Sequence, residues 1–303
     1  MATLMEAAAM RRAIALSAAG IGTTSPNPPV GCVLLDQEGR VIGEGYHERK
    51  GEAHAETHAL AAAGGQARGA TAVVTLEPCN HEGRTPACRQ ALIDAKVARV
   101  VIALLDPTSR SDGGAARLRA AGIDVEAGVL AAEARVILGP WLTALERQRP
   151  VITWPYVVSA GGIEAAPGEV DDVRLLRLNA DAVLHADGSV TEAVPGSHGA
   201  GILRLANSTL GAGPAAIAAS LYQGGVRRLL LAGDLSTAEP FLTQRLIDRV
   251  SAYLPDGCPS RTPGTAQPWP QVPPGFTIIA AAKLDGFVRI DAQRDALPRD
   301  ALP

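Results

Sequence analysis

The sequence predicts an α/β protein of two domains, over residues 1–147 and 148–303. Three observations carry this. Short apolar runs alternate with helix-like segments up to about Arg147. The stretch "LERQRPVITW" then breaks the pattern with polar residues and Pro150. A second alternation starts at Val151, and 303 residues suit two domains of ordinary size.

The elements follow in order. "MATLMEAAAMRRAIALSAAG" has apolar positions at helical spacing and Glu6 ahead of Arg11 and Arg12, so it reads as an amphipathic helix rather than a signal peptide. Val30 to Leu35 is an apolar strand, Gln37-Glu38-Gly39 a turn, and Val41-Ile42-Gly43 the start of the return strand. "GEAHAETHALAAAGG" is a helix closed by Gly64 and Gly65. "GATAVVTLEPC" is a buried strand, "TPACRQALIDAK" a helix, "VARVVIALLDP" another buried strand, and "GGAARLRAAGIDVEAGVL" a helix then a strand. Such alternation implies a sheet covered on both faces. In the second half, Asp171–Asn179 reads as helix, Asp181–His185 as strand, Gly213–Tyr222 as helix, "VRRLLLAGD" as strand and Glu239–Val250 as helix. The proline-rich stretch from Pro255 to Pro274 reads as loop.

Composition excludes several classes. Hydrophobic residues make up 47% and charged residues 19%, a globular balance. No apolar run is long enough to cross a bilayer, so no membrane partner is expected. A formal net charge of −3 and 3% aromatics argue against a nucleic-acid partner, including a base-flipping editor. Four cysteines, Cys32, Cys79, Cys88 and Cys258, make no disulfide framework in a chain this long. They point to the reducing cytoplasm, where thiolates remain available to a metal.

Two pieces carry chemistry: "HAE" at His54–Glu56, and Pro78-Cys79 followed by Cys88. Zinc takes imidazole and thiolate ligands tetrahedrally, and three protein ligands leave a fourth position for water, whose pKa the ion lowers. A histidine, a nearby non-ligating glutamate and a later Pro-Cys with a second cysteine compose the zinc-deaminase signature. His54, Cys79 and Cys88 are the expected Zn2+ ligands and Glu56 the acid/base. The generic signature separates its cysteines by two residues; here Asn80 to Ala87 intervene, and Gly83 and Pro86 suit a loop that folds back. His58 lies four residues after His54, so a His54/His58 pair is an alternative ligand choice. Packing or a hydrogen bond within the helix is the preferred reading of His58. Cys32 reads as a small core residue, and Cys258 gets no role.

"TSPNPPVGCVLL", "GEGYH", "GEAHAETHAL", "VTLEPCNHEGRTPAC" and "ALIDAKVARVVIALLDP" together resemble the deaminase domain of the bifunctional riboflavin-biosynthesis deaminase–reductase family, across about residues 4–147. The eight-residue interval holding "H-x-G-R-T-P" marks this branch. The resemblance implies a cytidine-deaminase-like, three-layer α/β/α domain. It implies hydrolytic deamination of 2,5-diamino-6-ribosylamino-4(3H)-pyrimidinone 5′-phosphate. It places Asn27, His81 and Arg84 against that pyrimidine ribotide, with His47 a further candidate. An asparagine amide reads ring edges and an arginine suits a phosphate or carbonyl. The family also implies a homo-oligomer, dimer or tetramer.

From Val151 the chain resembles the family's reductase domain, which has a dihydrofolate-reductase-like α/β fold and uses NADPH. Here it departs from the pattern. Pro155 stands where the family usually has lysine, and Gly161 where it has aspartate. Leu231 takes a glutamate position and Asp234 a proline position. The family's "W-I-T/S" and "A-D-D-P" segments are missing, and the domain is short. These departures predict a degenerate reductase, kept as a structural or oligomerisation partner, with NADPH not expected as a cofactor. Alternatives are a paralogue deaminating a related amino-heterocycle in a specialised pathway, a bifunctional enzyme that keeps NADPH-dependent reduction, and a non-catalytic scaffold.

Overall fold

The structure is a computed structural model and describes residues 1–80, 87–109, 113–159, 162–166, 171–205, 211–256 and 272–295. It has two compact units: Met1–Leu142 with His198–Ile202, and Thr143–Ser197 with Leu203–Pro303. Among the described residues, no helix is long and apolar enough to cross a membrane.

In the first unit, α1 (Leu4–Ser17) begins at a capping box: Thr3 Oγ1 accepts from the Glu6 amide at 3.1 Å, and Glu6 Oε2 accepts from the Thr3 amide at 2.7 Å. Then come β1 (Gly31–Leu35), β2 (Val41–Tyr46), α2 (Ala55–Ala63), β3 (Thr71–Leu76), α3 (Cys88–Asp94), β4 (Arg99–Leu104), α4 (Gly113–Ala120), β5 (Asp124–Ala127) and α5 (Ala131–Arg147). The division between units falls inside α5. The sheet order is β2-β1-β3-β4-β5. β1 runs antiparallel to β2 and β3, while β3, β4 and β5 are parallel to one another.

Strand alternation sends side chains to opposite faces. Cys32, Leu34, Ala72, Val74, Val100 and Ile102 form one core with Ala55, Ala59 and Ala63 of α2, Leu92 of α3 and Leu118 of α4. On the other face α1 crosses β1 so closely that a Cβ on Gly31 would meet the Ala13 carbonyl oxygen at 2.0 Å. Arg12 of α1 pairs with Glu44 of β2, and Arg11 pairs with Glu133 of α5, so α1 and α5 share that face. The first unit is therefore three-layered, α/β/α.

Glycine governs how α2 meets the sheet. Gly43 and Gly45 flank Glu44 and point away from it. A Cβ on Gly43 would meet the Ala59 carbonyl oxygen at 2.3 Å, and one on Gly45 the Ala55 carbonyl oxygen at 2.6 Å. Backbone thus lies against backbone, and the start of α2 is set directly by β2.

The second unit contains β6 (Val151–Ser159), β7 (Gly162–Ala165), α6 (Asp171–Leu178), β8 (Ala182–His185), β9 (Val190–Glu192), α7 (Pro214–Gln223), β10 (Arg228–Ala232), α8 (Leu235–Thr243), β11 (Ile247–Pro255), β12 (Phe276–Leu284) and β13 (Phe287–Arg294). Its sheet order is β12-β13-β11-β6-β10-β8-β9, with β7 paired to β6. β8, β10, β6 and β11 are parallel. Trp154, Ile152, Leu229, Leu231, Phe241 and Val250 belong to its core. In the central strand β6, Pro155 stands opposite Ser251 of β11, and on the other side it falls between the β10 ladder, which ends at Thr153, and the β7 ladder, which begins at Tyr156.

One helix expectation fails. Glu239–Val250 is not a single helix: α8 stops at Thr243, Arg245 takes a left-handed φ of 55°, and β11 starts at Ile247. Leu246, Ile247, Val250 and Leu254 mimic helical spacing, but pairing with β6 and β13 on both sides decides the outcome. The Pro255–Pro274 loop expectation lies mostly outside the described residues; Pro255 itself ends β11.

Candidate active site

His54 is the N-cap of α2, in extended conformation, with no capping hydrogen bond from its side chain. The imidazole is therefore available to turn elsewhere. Cys79 follows β3 by three residues, and Cys88 is the first residue of α3. Residues distant in sequence thereby converge. His54 Nδ1 lies 3.2 Å from Cys88 Sγ, and the Cys88 amide donates to Cys79 Sγ at 3.2 Å. One ligand atom from each of His54, Cys79 and Cys88 lies within 4.8 Å of the other two. His58 is not part of this group, which answers against the His54/His58 alternative. Its Nε2 is buried with no hydrogen-bond partner among the described residues.

The electrostatics suit a cation. The hydrogen bond from Cys88 holds the Cys79 thiol down at about 4, against the effect of burial, with His54 assisting. The Cys88 thiol is pushed up by that same hydrogen bond and by burial. The pair thus keeps one thiolate beside an imidazole raised above its ordinary value by its hydrogen bond to Cys79. One imidazole nitrogen and two sulfurs form a donor set that fits zinc and leaves a coordination position, as in catalytic rather than closed structural sites. Glu56, in the first turn of α2, is only 3% exposed. Burial raises its carboxyl above the usual carboxylate range, opposed by His54.

A second layer stands behind His54. Lys50 Nζ donates to Asn27 Oδ1 at 2.8 Å. Asn27 Nδ2 lies 3.2 Å from His47 Nε2, and His47 Nδ1 lies 3.0 Å from the Ala53 carbonyl oxygen. The His47 and His54 rings meet edge to face, centroids 4.9 Å apart. Burial lowers His47 to about 4, so its ring is neutral at pH 7. The structure thus brings His54, Glu56, Cys79, Cys88, Asn27 and His47 into one neighbourhood. His81, Arg84, Gly161 and Cys258 lie outside the described residues.

Sequence reasoning missed two residues here. Lys50 is one; its only signal was a cation between His47 and His54. Glu77 is the other. It directly precedes Pro78-Cys79 and is buried, with Oε1 accepting from the Ala115 amide at 2.8 Å and Oε2 from the Asp106 amide at 3.1 Å. A carboxylate ending an otherwise apolar strand needs such partners, and that was its signal.

A three-layer unit whose sheet and helices gather one imidazole, two thiols and a buried carboxylate defines a zinc-binding deaminase domain. Residues 5–104 match the family described as the cytidine and deoxycytidylate deaminase zinc-binding region. The chain is similar to members of the bifunctional deaminase–reductase family of riboflavin biosynthesis. It is 46% identical over 192 residues to riboflavin biosynthesis protein RibD of Escherichia coli (strain K12), covering 60% of this chain and 52% of that one. It is 46% identical over 182 residues to RibD of Mycobacterium tuberculosis (strain CDC 1551 / Oshkosh), covering 56% and 53%. The chain therefore spans about half the length of these curated relatives. The solved structure of Acinetobacter baumannii RibD, form 1, superposes with a TM-score of 0.75 at 28% identity, covering 96% of this chain and 99% of that one. A deaminase/reductase structure from Thermotoga maritima gives 0.77 at 24% identity, with the same coverage, and supports the fold.

Proposed function

We propose that residues 1–147 carry out hydrolytic deamination of 2,5-diamino-6-ribosylamino-4(3H)-pyrimidinone 5′-phosphate, and that residues 148–303 are a reductase-like domain without reductase activity. The convergence of His54, Cys79 and Cys88 beside buried Glu56 carries the first part. His54 Nδ1 and the two Sγ atoms would hold zinc, which supplies Lewis-acid activation of water near neutral pH.

Glu56 does the proton work. Its carboxylate takes a proton from the attacking water. It passes that proton to the adjacent ring nitrogen and then carries the remaining hydroxyl proton to the exocyclic nitrogen, so that a carbonyl forms, the bond from the ring carbon to the exocyclic nitrogen breaks and ammonia leaves. Burial suits it to both tasks, because a raised carboxyl pKa lets one oxygen hold the proton between steps. Asn27 retains a second amide hydrogen and a second lone pair beyond its bonds to His47 and Lys50, enough to read a ring edge. Both nitrogens of His47 are engaged within the chain, so its role is to hold Asn27 and to pack on His54. The reading carries with it a cytoplasmic, homo-oligomeric enzyme acting on a free ribotide.

Among the described residues of the second unit, those at the β10–α8 turn do not fit NADPH. A dinucleotide phosphate is commonly received by the amides of a helix start after a strand. At the β10–α8 turn Asp234 already fills that role: its Oδ1 accepts from the Thr237 amide at 3.1 Å and from Ser236 Oγ at 2.7 Å. A carboxylate there repels phosphate. Leu231, at the family's glutamate position, is in the apolar core.

The test is ammonia release from the diaminopyrimidine ribotide by zinc-loaded protein. Glu56→Gln should lower kcat about a hundredfold or more while one zinc per chain is retained. Unchanged turnover in that variant would remove Glu56 from the mechanism.

A further inference from the structure

Arg294, the last residue of β13, is a cation without a carboxylate partner among the described residues. Its Nε donates to the Ile247 carbonyl at 2.6 Å, and its guanidinium lies over the Phe276 ring, 4.3 Å from the centroid. Those two contacts fix the side chain. Its Nη2 is nevertheless buried with no hydrogen-bond partner among the described residues. Two carboxylates act on it from nearby, and both are committed elsewhere. Asp248 accepts from Arg147, Arg149 and the Ile152 amide, and Asp295 accepts from Thr277 Oγ1.

Arg245 brings a second guanidinium to the same place. It is exposed, and among the described residues it too has no carboxylate partner. A Cβ on Gly275 would stand 3.9 Å from Arg245 Nη1 and 4.0 Å from Arg294 Nη1. The two nitrogens therefore lie within about 8 Å of each other, a gap that two hydrogen bonds of about 2.9 Å and one edge of a tetrahedral oxyanion can bridge. Gly275 puts no side chain between them. Burial and the charge of Arg245 both lower Arg294 from its ordinary value, and Arg149 adds to the repulsion. Leaving buried charged donors unfilled is costly, and such groups are nearly always satisfied in folded proteins. An anion would satisfy both guanidinium groups.

We propose that Arg245 and Arg294, converging over Gly275, form an anion site of the second unit that takes one phosphate group, free or as the head of a phosphate monoester. The planar guanidinium fork matches phosphate oxygens in pairs. Arg147, Arg149, Arg245 and Arg294 outnumber Asp248 and Asp295, which suits a divalent anion. The site gathers at the starts of β6, β11 and β12 and the end of β13. That is the opposite end of the parallel strands from the β10–α8 turn, so the site is independent of any reductase cleft.

The experiment titrates the full, zinc-loaded chain with inorganic phosphate by calorimetry at constant ionic strength, with glycerol 3-phosphate as a parallel arm. Wild type should bind phosphate. Arg245→Ala, at an exposed position, should weaken that binding about tenfold, the scale of one charge-assisted hydrogen bond. Arg294→Met should abolish it. Equal affinity for the two probes marks a site for free phosphate; tighter binding of the ester marks a monoester site. In thermal unfolding, phosphate should raise the midpoint of wild type above that in chloride of equal ionic strength and leave both variants unmoved. A rise with NADPH that Arg245→Ala abolishes belongs to this site. Should Arg294→Met fail to fold, Arg245→Ala carries the comparison. Phosphate that binds wild type and Arg245→Ala equally, or binds neither, would overturn the proposal.

Discussion

Glu77 is internal, and its two oxygens are both committed to backbone amides, those of Asp106 and Ala115. Gly114 lies so near the Pro78 carbonyl oxygen that a Cβ would meet it at 1.9 Å, so the chain around α4 is built against the turn that presents Cys79. In Glu77→Gln one of those amides would face an NH2 group. Leaving a buried donor unsatisfied costs about 1–3 kcal/mol. Denaturant unfolding should register that loss, and competition with a chromophoric chelator should show weaker zinc retention. Unaltered zinc affinity would detach Glu77 from the metal turn. Site legibility divides here. His54, Glu56, Cys79 and Cys88 could be read from the sequence because few residue types can hold zinc or shuttle its protons. Lys50 and Glu77 could not, because their significance lies in partners 23 to 38 positions away.

At the scale of elements, α2 carries the proposed proton carrier Glu56, with the metal-ligating candidate His54 at its N-cap, and its seat is the pair Gly43 and Gly45. Gly45→Ala would drive a methyl against the Ala55 carbonyl oxygen and the Ala59 amide, at 2.6 and 2.7 Å. Overpacking of this kind costs about 1–3 kcal/mol. The helix must lift, so turnover should fall more steeply than stability, as thermal unfolding and ammonia release measured on the same sample would reveal. Equal proportional losses would mean that the strain spreads through the unit without moving α2. The elements of the first unit were legible because apolar runs and helix stops coincide. Where they do not, the sequence misleads. β11 has helix-like spacing yet pairs on both sides. The hairpin of β12 and β13 went unseen because β12 is largely exposed and shows no alternating burial.

For the whole molecule, a solved RibD structure superposes over 96% of the chain, and the proposed loss of reduction in the second half can be tested through ligand-linked stability. The fold of the second half persists with Asp234 at the start of α8 and Leu231 in the core, consistent with fold and function being separable. A ligand that binds only the native state raises stability by RT ln(1 + [L]/Kd). Zinc added to chelator-stripped protein should therefore raise the unfolding temperature by several degrees, the shift expected for about 4 kcal/mol at a thousandfold excess over Kd. NADPH at millimolar concentration should leave it unchanged. A clear NADPH-dependent rise would restore the bifunctional reading.

The interval between Cys79 and Cys88 has a consequence for how a metal is held. The two sulfurs are anchored independently, one just beyond a central strand and one at the head of a helix, and the Cys88 amide ties them together. The residues between are then a cassette with fixed ends. The hold of His54, Cys79 and Cys88 on a cation is then set by the strand end and the helix start that carry them, whatever sequence joins the two cysteines.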